Sequence, residues 1–229
     1  MIPISDELPS RRVPLVTYGL IALNVVVFLY ELMLGPAVDK FYMVWGAVPA
    51  YITNFQRYPL APLTLLTSMF IHAGPAHIIG NMLYLWIFGD NVEDTLGRVR
   101  YGIFYLAAGL AAGLAQIAVS PSSTAPGVGA SGAVAGVLAV YVVLFPTAPV
   151  RVLVPGFYFM RVARVPALIV LGLWFVIQLF NGVLSLGSMN VATGGVAWFA
   201  HIGGFVSGLV VGLLVRSLYG GGASGRRII

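Results

Sequence analysis

The sequence predicts an all-α polytopic membrane protein, a bundle of six transmembrane helices with a long outer loop between helices 1 and 2. Three observations carry that expectation. Of 229 residues, 59% are hydrophobic and only 8% charged, where soluble domains carry about a quarter charged residues. Mean hydropathy is +0.96. Six stretches approach the roughly 20 mostly apolar residues that a membrane-crossing helix needs: 14–34, 76–92, 99–119, 130–148, 165–183 and 196–218.

The expected organisation is a cytoplasmic segment 1–13, a membrane domain 14–218 and a flexible cytoplasmic tail 219–229. Asp6 and Glu7 argue against a transit peptide, and no small-residue cleavage site follows the first stretch, so an uncleaved helix is expected. Basic residues then orient the chain. With the N-terminus inside, inner segments hold Arg11, Arg12, Arg98, Arg100, Arg151, Arg161, Arg164, Arg216, Arg226 and Arg227. Outer segments hold only Lys40 and Arg57, so ten of twelve basic residues fall on one side. Both termini are therefore expected in the cytoplasm, and the net charge of +5 calls for no nucleic-acid partner. The short chain, with no appended domain, points to a prokaryotic plasma membrane. The absence of cysteine excludes disulfides and thiolate metal sites.

The connections are unequal. Segment 35–75 carries Trp45, Tyr51, Phe55 and Tyr58 with few charges, a composition suited to the membrane interface. Segment 183–195 is polar and glycine-rich and suits a mobile cover.

The second, fourth and sixth stretches all run from outside to inside. His77 and Asn81 lie in the first turns of the second, Ser131 begins the fourth, and His201 sits about five residues into the sixth. All four therefore share the outer third of the membrane. His77 and Asn81, four apart, point the same way. Gly204 and Gly208 lie on the His201 face, and Ser131, Ala135 and Ala139 form a matching stripe of small residues. Such stripes let helix backbones approach closely, which a Ser131–His201 hydrogen bond requires.

A serine in a helix rich in glycine and alanine is, alone, a packing residue. Ionisable side chains inside a membrane are costly and mark function more often. Together these residues spell a nucleophile and its base. Serine needs a base to remove its proton, and His201 is the base at that depth. Asn81, His77 and the Ser131 amide can donate to an oxyanion. No acidic third partner is evident: Asp90, Glu93 and Asp94 lie at the wrong face, and Glu31 and Asp39 have no route to the histidine. The reading is a dyad. Glu93 and Arg98 fit a structural ion pair or interface anchors, and His72 a loop or supporting residue.

These motifs resemble those of the rhomboid intramembrane serine proteases. Gly129-Ala-Ser131-Gly132 matches the nucleophile motif, Ala200-His201-Ile-Gly203-Gly204 the base, and His77-Ile-Ile-Gly-Asn81 the oxyanion site. Glu93-Asp-Thr-Leu-Gly97-Arg98 and Trp45-Gly46 also look like the family. The resemblance covers nearly the whole chain and implies a six-helix bundle with a water-filled pocket opening outward. It implies hydrolysis of a peptide bond in or beside the transmembrane helix of a membrane-protein substrate. Ser131 would be nucleophile and His201 general base, with His77, Asn81 and the Ser131 amide holding the oxyanion. Segment 183–195 and the fifth span would gate substrate entry. No cofactor and no metal are implied. Where some members carry a tyrosine packed on the histidine, four residues after the serine, this chain has Ala135. That leaves open what orients His201.

A helical peptide bond is shielded by its own hydrogen bonds, so preferred substrates should weaken their helix near the outer surface with glycine or proline. A small residue before the scissile bond is expected. Three rival readings remain. His72, His77 and His201 could hold zinc with one open position, although no carboxylate helper accompanies them. A transporter would favour a midplane site and inverted repeats, neither of which is visible. A non-proteolytic helix-binding protein would keep its activity without the Ser131 hydroxyl.

Overall fold

Prolines and glycines punctuate the chain where helices begin and end. The computed structural model describes residues 2–155, 160–186 and 197–220. After strand β1 (Ile2–Asp6), helix α1 (Leu15–Leu34) starts behind Pro14 and stops at Gly35. The φ of 52° at Gly35 is one that glycine adopts without strain. The outer loop folds into short helices α2 (Val38–Trp45), α3 (Pro49–Thr53) and α4 (Thr64–Thr67). Helix α5 (Pro75–Leu96) opens on a proline, which has no amide hydrogen to leave unpaired in the first turn. It is followed by α6 (Arg98–Val119), α7 (Ser131–Leu144), α8 (Ala167–Leu186) and α9 (Trp198–Gly220).

Each of the six expected apolar stretches overlaps a helix, the fourth and fifth only in part. Among the described residues, four helical stretches are long and apolar enough to cross a membrane: Leu15–Trp45, Arg98–Val119, Ala167–Ser185 and Trp198–Leu218. A fifth arises if Ala61–Phe70 and Pro75–Leu96, bent by 78°, form one broken span. Helix α7 is the exception. Its 14 residues rise only about 21 Å, short of the roughly 30 Å hydrocarbon layer. The fourth stretch, expected over 130–148, stops at Leu144 because Pro146 cannot continue the helix. This short helix is shielded by its neighbours: it packs on α5, α6, α8 and α9, and every residue from Gly132 to Val142 is buried. Irregular backbone at membrane depth is tolerated in such a protein-lined position.

One element adds to the helical fold. Strands β2 (Pro149–Pro155) and β3 (Met160–Pro166) pair antiparallel, Pro149 opposite Pro166, and β1 pairs with β2, Ile2 opposite Leu153 and Asp6 opposite Val150. Val150 and Val152 are buried while Arg151 faces out, the period of two that a half-buried strand needs. The expected fifth stretch, 165–183, thus begins in β3 and becomes helical at Ala167. The N-terminal segment is tied to the last turns of α5 as well: Asn91 Nδ2 donates to the Leu8 carbonyl at 3.3 Å, and the Arg11 amide donates to Asp94 at 3.0 Å.

Glu93 explains how α1 starts without a side-chain cap of its own. Its carboxylate accepts the amides of Val16 (3.0 Å) and Thr17 (2.8 Å) and the Thr17 hydroxyl (2.8 Å). These are donors that a helix N-terminus leaves unpaired. Arg98 stands 4.0 Å from Glu93 and donates to the Val13 carbonyl at 3.1 Å. This pair therefore anchors α1 to α5.

Candidate active site

The position of Ser131 is set by the segment before α7, and that segment is held by the outer loop. Ala47 and Gly127 exchange two backbone hydrogen bonds, of 2.9 and 2.8 Å. The Ala50 amide donates to the Ser123 carbonyl, and the Gly129 amide to the Ser68 carbonyl, both at 2.9 Å. The loop expected to lie at the membrane interface thus also braces residues 123–129. Gly129 has a φ of 131°, a region open to glycine and strained for other residues. A Cβ there would lie 2.7 Å from both Cε1 and Nε2 of His77 and 3.6 Å from Ser131 Oγ. The glycine is what lets the His77 ring lie against the chain two residues before the serine.

Helix α9 brings His201. The sequence pointed to a seam of Ser131, Ala135 and Ala139 against Gly204 and Gly208. In the structure the closest approach is shifted by one residue on α7. A Cβ on Gly204 would run into the Gly132 carbonyl, and one on Gly208 into the Gly136 carbonyl. Ala139 does join the seam, at 2.8 Å from a Cβ on Gly208. Ser131 and Ala135 lie beside this line of backbone contact, and the offset lets the serine hydroxyl face the histidine ring.

Ser131 Oγ and His201 Nε2 are 2.7 Å apart. His201 is 8% exposed. As the first residue of α7, Ser131 has an amide with no acceptor inside the helix, and the helix dipole places partial positive charge there. Asn81 lies one turn beyond His77 on α5, 8% exposed, with its Nδ2 donors unpartnered. This places a hydroxyl against a basic ring at the N-terminus of α7, with His77 beside Gly129 and the unpaired amide of Asn81 one turn further along α5. Chemically, that set can deprotonate a hydroxyl and stabilise an anion next to it.

His72 is fully buried and packs edge-on against His77, with ring centroids 5.1 Å apart. Its amide donates to Glu31 at 3.1 and 3.3 Å, and its carbonyl accepts the Tyr42 hydroxyl at 3.2 Å. Glu31, which offered no route to His201, is thus tied to the turn before α5. Among the described residues no three of His, Asp and Glu converge as a metal-ligand set. Of the expected gating segment 183–195, residues 187–195 lie outside the described residues, as does the tail from 221 onward.

One contact was not foreseen. Gln178 Oε1 on α8 lies 2.7 Å from His201 Nδ1, on the ring edge opposite the serine. Trp174 and Trp198 flank the same ring, with centroids 5.8 Å away tilted by 39° and 6.1 Å away at 88°. Ala135 leaves the histidine without the tyrosine neighbour, and α8 and α9 each supply a tryptophan instead. The available signal was an amide in a mostly apolar helix, a signal that Asn181 on the same helix shares.

A family model described as the Rhomboid domain matches residues 60–218. Rhomboid protease GluP of Bacillus subtilis is 35% identical over 126 residues, 55% of this chain and 24% of that protein. RHOMBOID-like protein 2 of Arabidopsis thaliana is 35% identical over 162 residues, 70% of this chain and 45% of its own. Rhomboid-related protein 2 of Mus musculus is 29% identical over 198 residues, 80% and 61% respectively. The chain thus spans less than half the length of the first two relatives and under two thirds of the third.

Proposed function

Because the chain belongs to the rhomboid family, we propose that this integral membrane protein is an intramembrane serine endopeptidase. It cuts a peptide bond in or next to a transmembrane helix of another membrane protein. The observation that carries this reading is the 2.7 Å contact between Ser131 Oγ and His201 Nε2.

In the first half-reaction His201 Nε2 takes the hydroxyl proton as Ser131 Oγ bonds to the scissile carbonyl carbon. The resulting oxyanion is met by the Ser131 amide, Asn81 Nδ2 and His77. The C–N bond then breaks, and the imidazolium returns its proton to the leaving amine. Water attacks the acyl-serine with His201 again as base, which frees the new carboxyl end and regenerates the hydroxyl. Every group needed is a side chain or amide of this chain, so no cofactor takes part.

The basic-residue asymmetry supports both termini on the cytoplasmic side and a site opening outward. Segment 183–195 and α8 form the entry route for substrate. A substrate helix must unwind before its bond meets Ser131, which favours segments carrying glycine or proline.

The test is cleavage of a tagged single-span substrate in liposomes by wild type, Ser131→Ala and His201→Ala, with a chelator control. Both variants should lose cleavage and chelator should change nothing. Cleavage surviving Ser131→Ala would sink the serine mechanism, and retained substrate binding without hydrolysis in wild type would favour a helix-binding role.

A further inference from the structure

The strongest unassigned group is the buried amide of α8. Gln178 is 6% exposed and stands on a helix whose neighbouring surface is apolar, where an amide is costly unless its hydrogen bonds are made. Its bonds are both made, and they are directional. Gln178 Nε2 lies 3.3 Å from the Trp174 carbonyl, an acceptor only, and Oε1 lies 2.7 Å from His201 Nδ1. Exchanging the amide's N and O would set oxygen against the carbonyl and lose that bond, so the network fixes which end faces the histidine.

We propose that Gln178 is the positioning residue of His201, a role that rests on the dyad reading above. An amide oxygen accepts and cannot donate, so the proton of neutral His201 must sit on Nδ1. Nε2 then presents its lone pair to the Ser131 hydroxyl, the tautomer that a general base requires. The two tryptophans set the plane of the ring but cannot choose its tautomer, since an indole offers no strong acceptor. When His201 becomes an imidazolium, the same oxygen keeps its bond to Nδ1–H without placing a second formal charge in the site. The acidic side chains cannot do this: Glu31 is engaged by His72 and Tyr42, and Glu93 by α1. Gln178 touches neither substrate nor the reacting oxygen and acts only through the histidine.

The test uses the full chain in liposomes with Gln178→Leu, which removes the acceptor, and Gln178→Glu, which keeps it and adds charge. Gln178→Leu should lower kcat by about 10- to 100-fold, less than losing a charged orienting partner costs, and change KM by no more than roughly threefold. Gln178→Glu should recover most of the rate and move the acid limb of the kcat profile to higher pH, because a carboxylate favours the imidazolium. Wild-type kcat in Gln178→Leu, or equal losses in both variants with an unmoved pH profile, would overturn the role.

A second readout needs no cleavage. With only three histidines in the chain, 15N NMR of labelled imidazoles, assigned by the signal missing in His201→Ala, reports the tautomer directly. The Nδ1–H form in wild type and its loss in Gln178→Leu are expected, while an Nε2–H form in wild type refutes the proposal. Cleavage that survives Ser131→Ala would instead remove the protease reading and leave this tautomer result standing, so the two failures are distinguishable.

Discussion

Helices α7 and α8 both meet the Ser131–His201 pair, yet they are held by different physics. Helix α7 meets α9 backbone to backbone, through glycines opposite carbonyl oxygens, with an unbroken buried run from Gly132 to Val142. Helix α8 shows Leu168, Ile169, Val176, Phe180 and Val183 at 53–65% exposure and reaches His201 through side chains, Gln178 and Trp174. The seam fixes where serine and histidine stand; the side-chain contacts set how the histidine is turned. A backbone seam has nothing to adjust, since a carbonyl held in a helix ladder cannot rotate away. Side-chain contacts can be broken and remade.

The largest expected effect follows from adding one methyl to each kind of surface. Gly208→Ala puts its Cβ into the Gly136 carbonyl and 2.8 Å from the Ala139 methyl. Overpacking costs about 1–3 kcal/mol where side chains can shift, and here backbone must move. The variant should lower the thermal midpoint in detergent sharply and abolish cleavage. Gly172→Ala on α8 meets nothing within 4 Å and should leave both unchanged. Equal midpoints for the two variants would mean that the seam does not carry the fold.

A smaller change tests whether the seam presents a finished site. Asn81 Nδ2 is buried without a partner, so Asn81→Ala removes a donor that holds nothing in the resting protein. The expected loss is about 10²–10³ in kcat with the midpoint little altered. A variant that unfolded instead would show Asn81 to be a cross-link between helices.

Much of this was legible in the sequence because lipid is a strict solvent. Apolar stretches must be helices there, and polar residues at one depth must have company. Depth and spacing therefore group Ser131, His201, His77 and Asn81 in the sequence, and the structure brings Ser131 to His201 and His77 to Gly129. The seam's register was missed by one residue, because a stripe of serine and alanines and a stripe of glycines differ only in side chains too small to give a strong pattern. Gln178 was missed because the Nδ1 partner was sought among acids. The sheet was missed for another reason: the arginines of β2 and β3 were explained as a topology signal, which hid their alternation with Val150, Val152 and Val165. The pairing of β1 with β2 joins residues far apart in sequence, and no local pattern in 2–6 announces it.

The smallest effect concerns a side-chain-mediated attachment of α7, at the end away from Ser131. The Tyr141 hydroxyl donates to Asp6 of β1 at 2.6 Å. Burial lifts the Asp6 carboxyl from its ordinary 3.8 to about 6, against the Tyr141 hydrogen bond, with nearby Asp90 adding to the rise. A raised carboxyl favours folding when protonated: its contribution is fully present below the unfolded value and is lost as pH climbs through about 6. Acidifying from pH 7 to pH 5 should therefore strengthen the docking of β1 on α7. Asp6→Asn keeps an acceptor for Tyr141 and cannot titrate, so the midpoint of wild type should rise relative to this variant on acidification. The exposed Glu7–Arg164 pair, 2.8 Å apart, contributes about 1 kcal/mol at most and is screened by salt. Repeating the comparison in high salt separates it from the buried carboxyl. A difference between wild type and Asp6→Asn that stays constant from pH 5 to 7 would show that β1 is held by its strand pairing alone. The seam between α7 and α9 has no titratable group along its glycine line, so any pH response that Asp6→Asn removes belongs to the side-chain attachment.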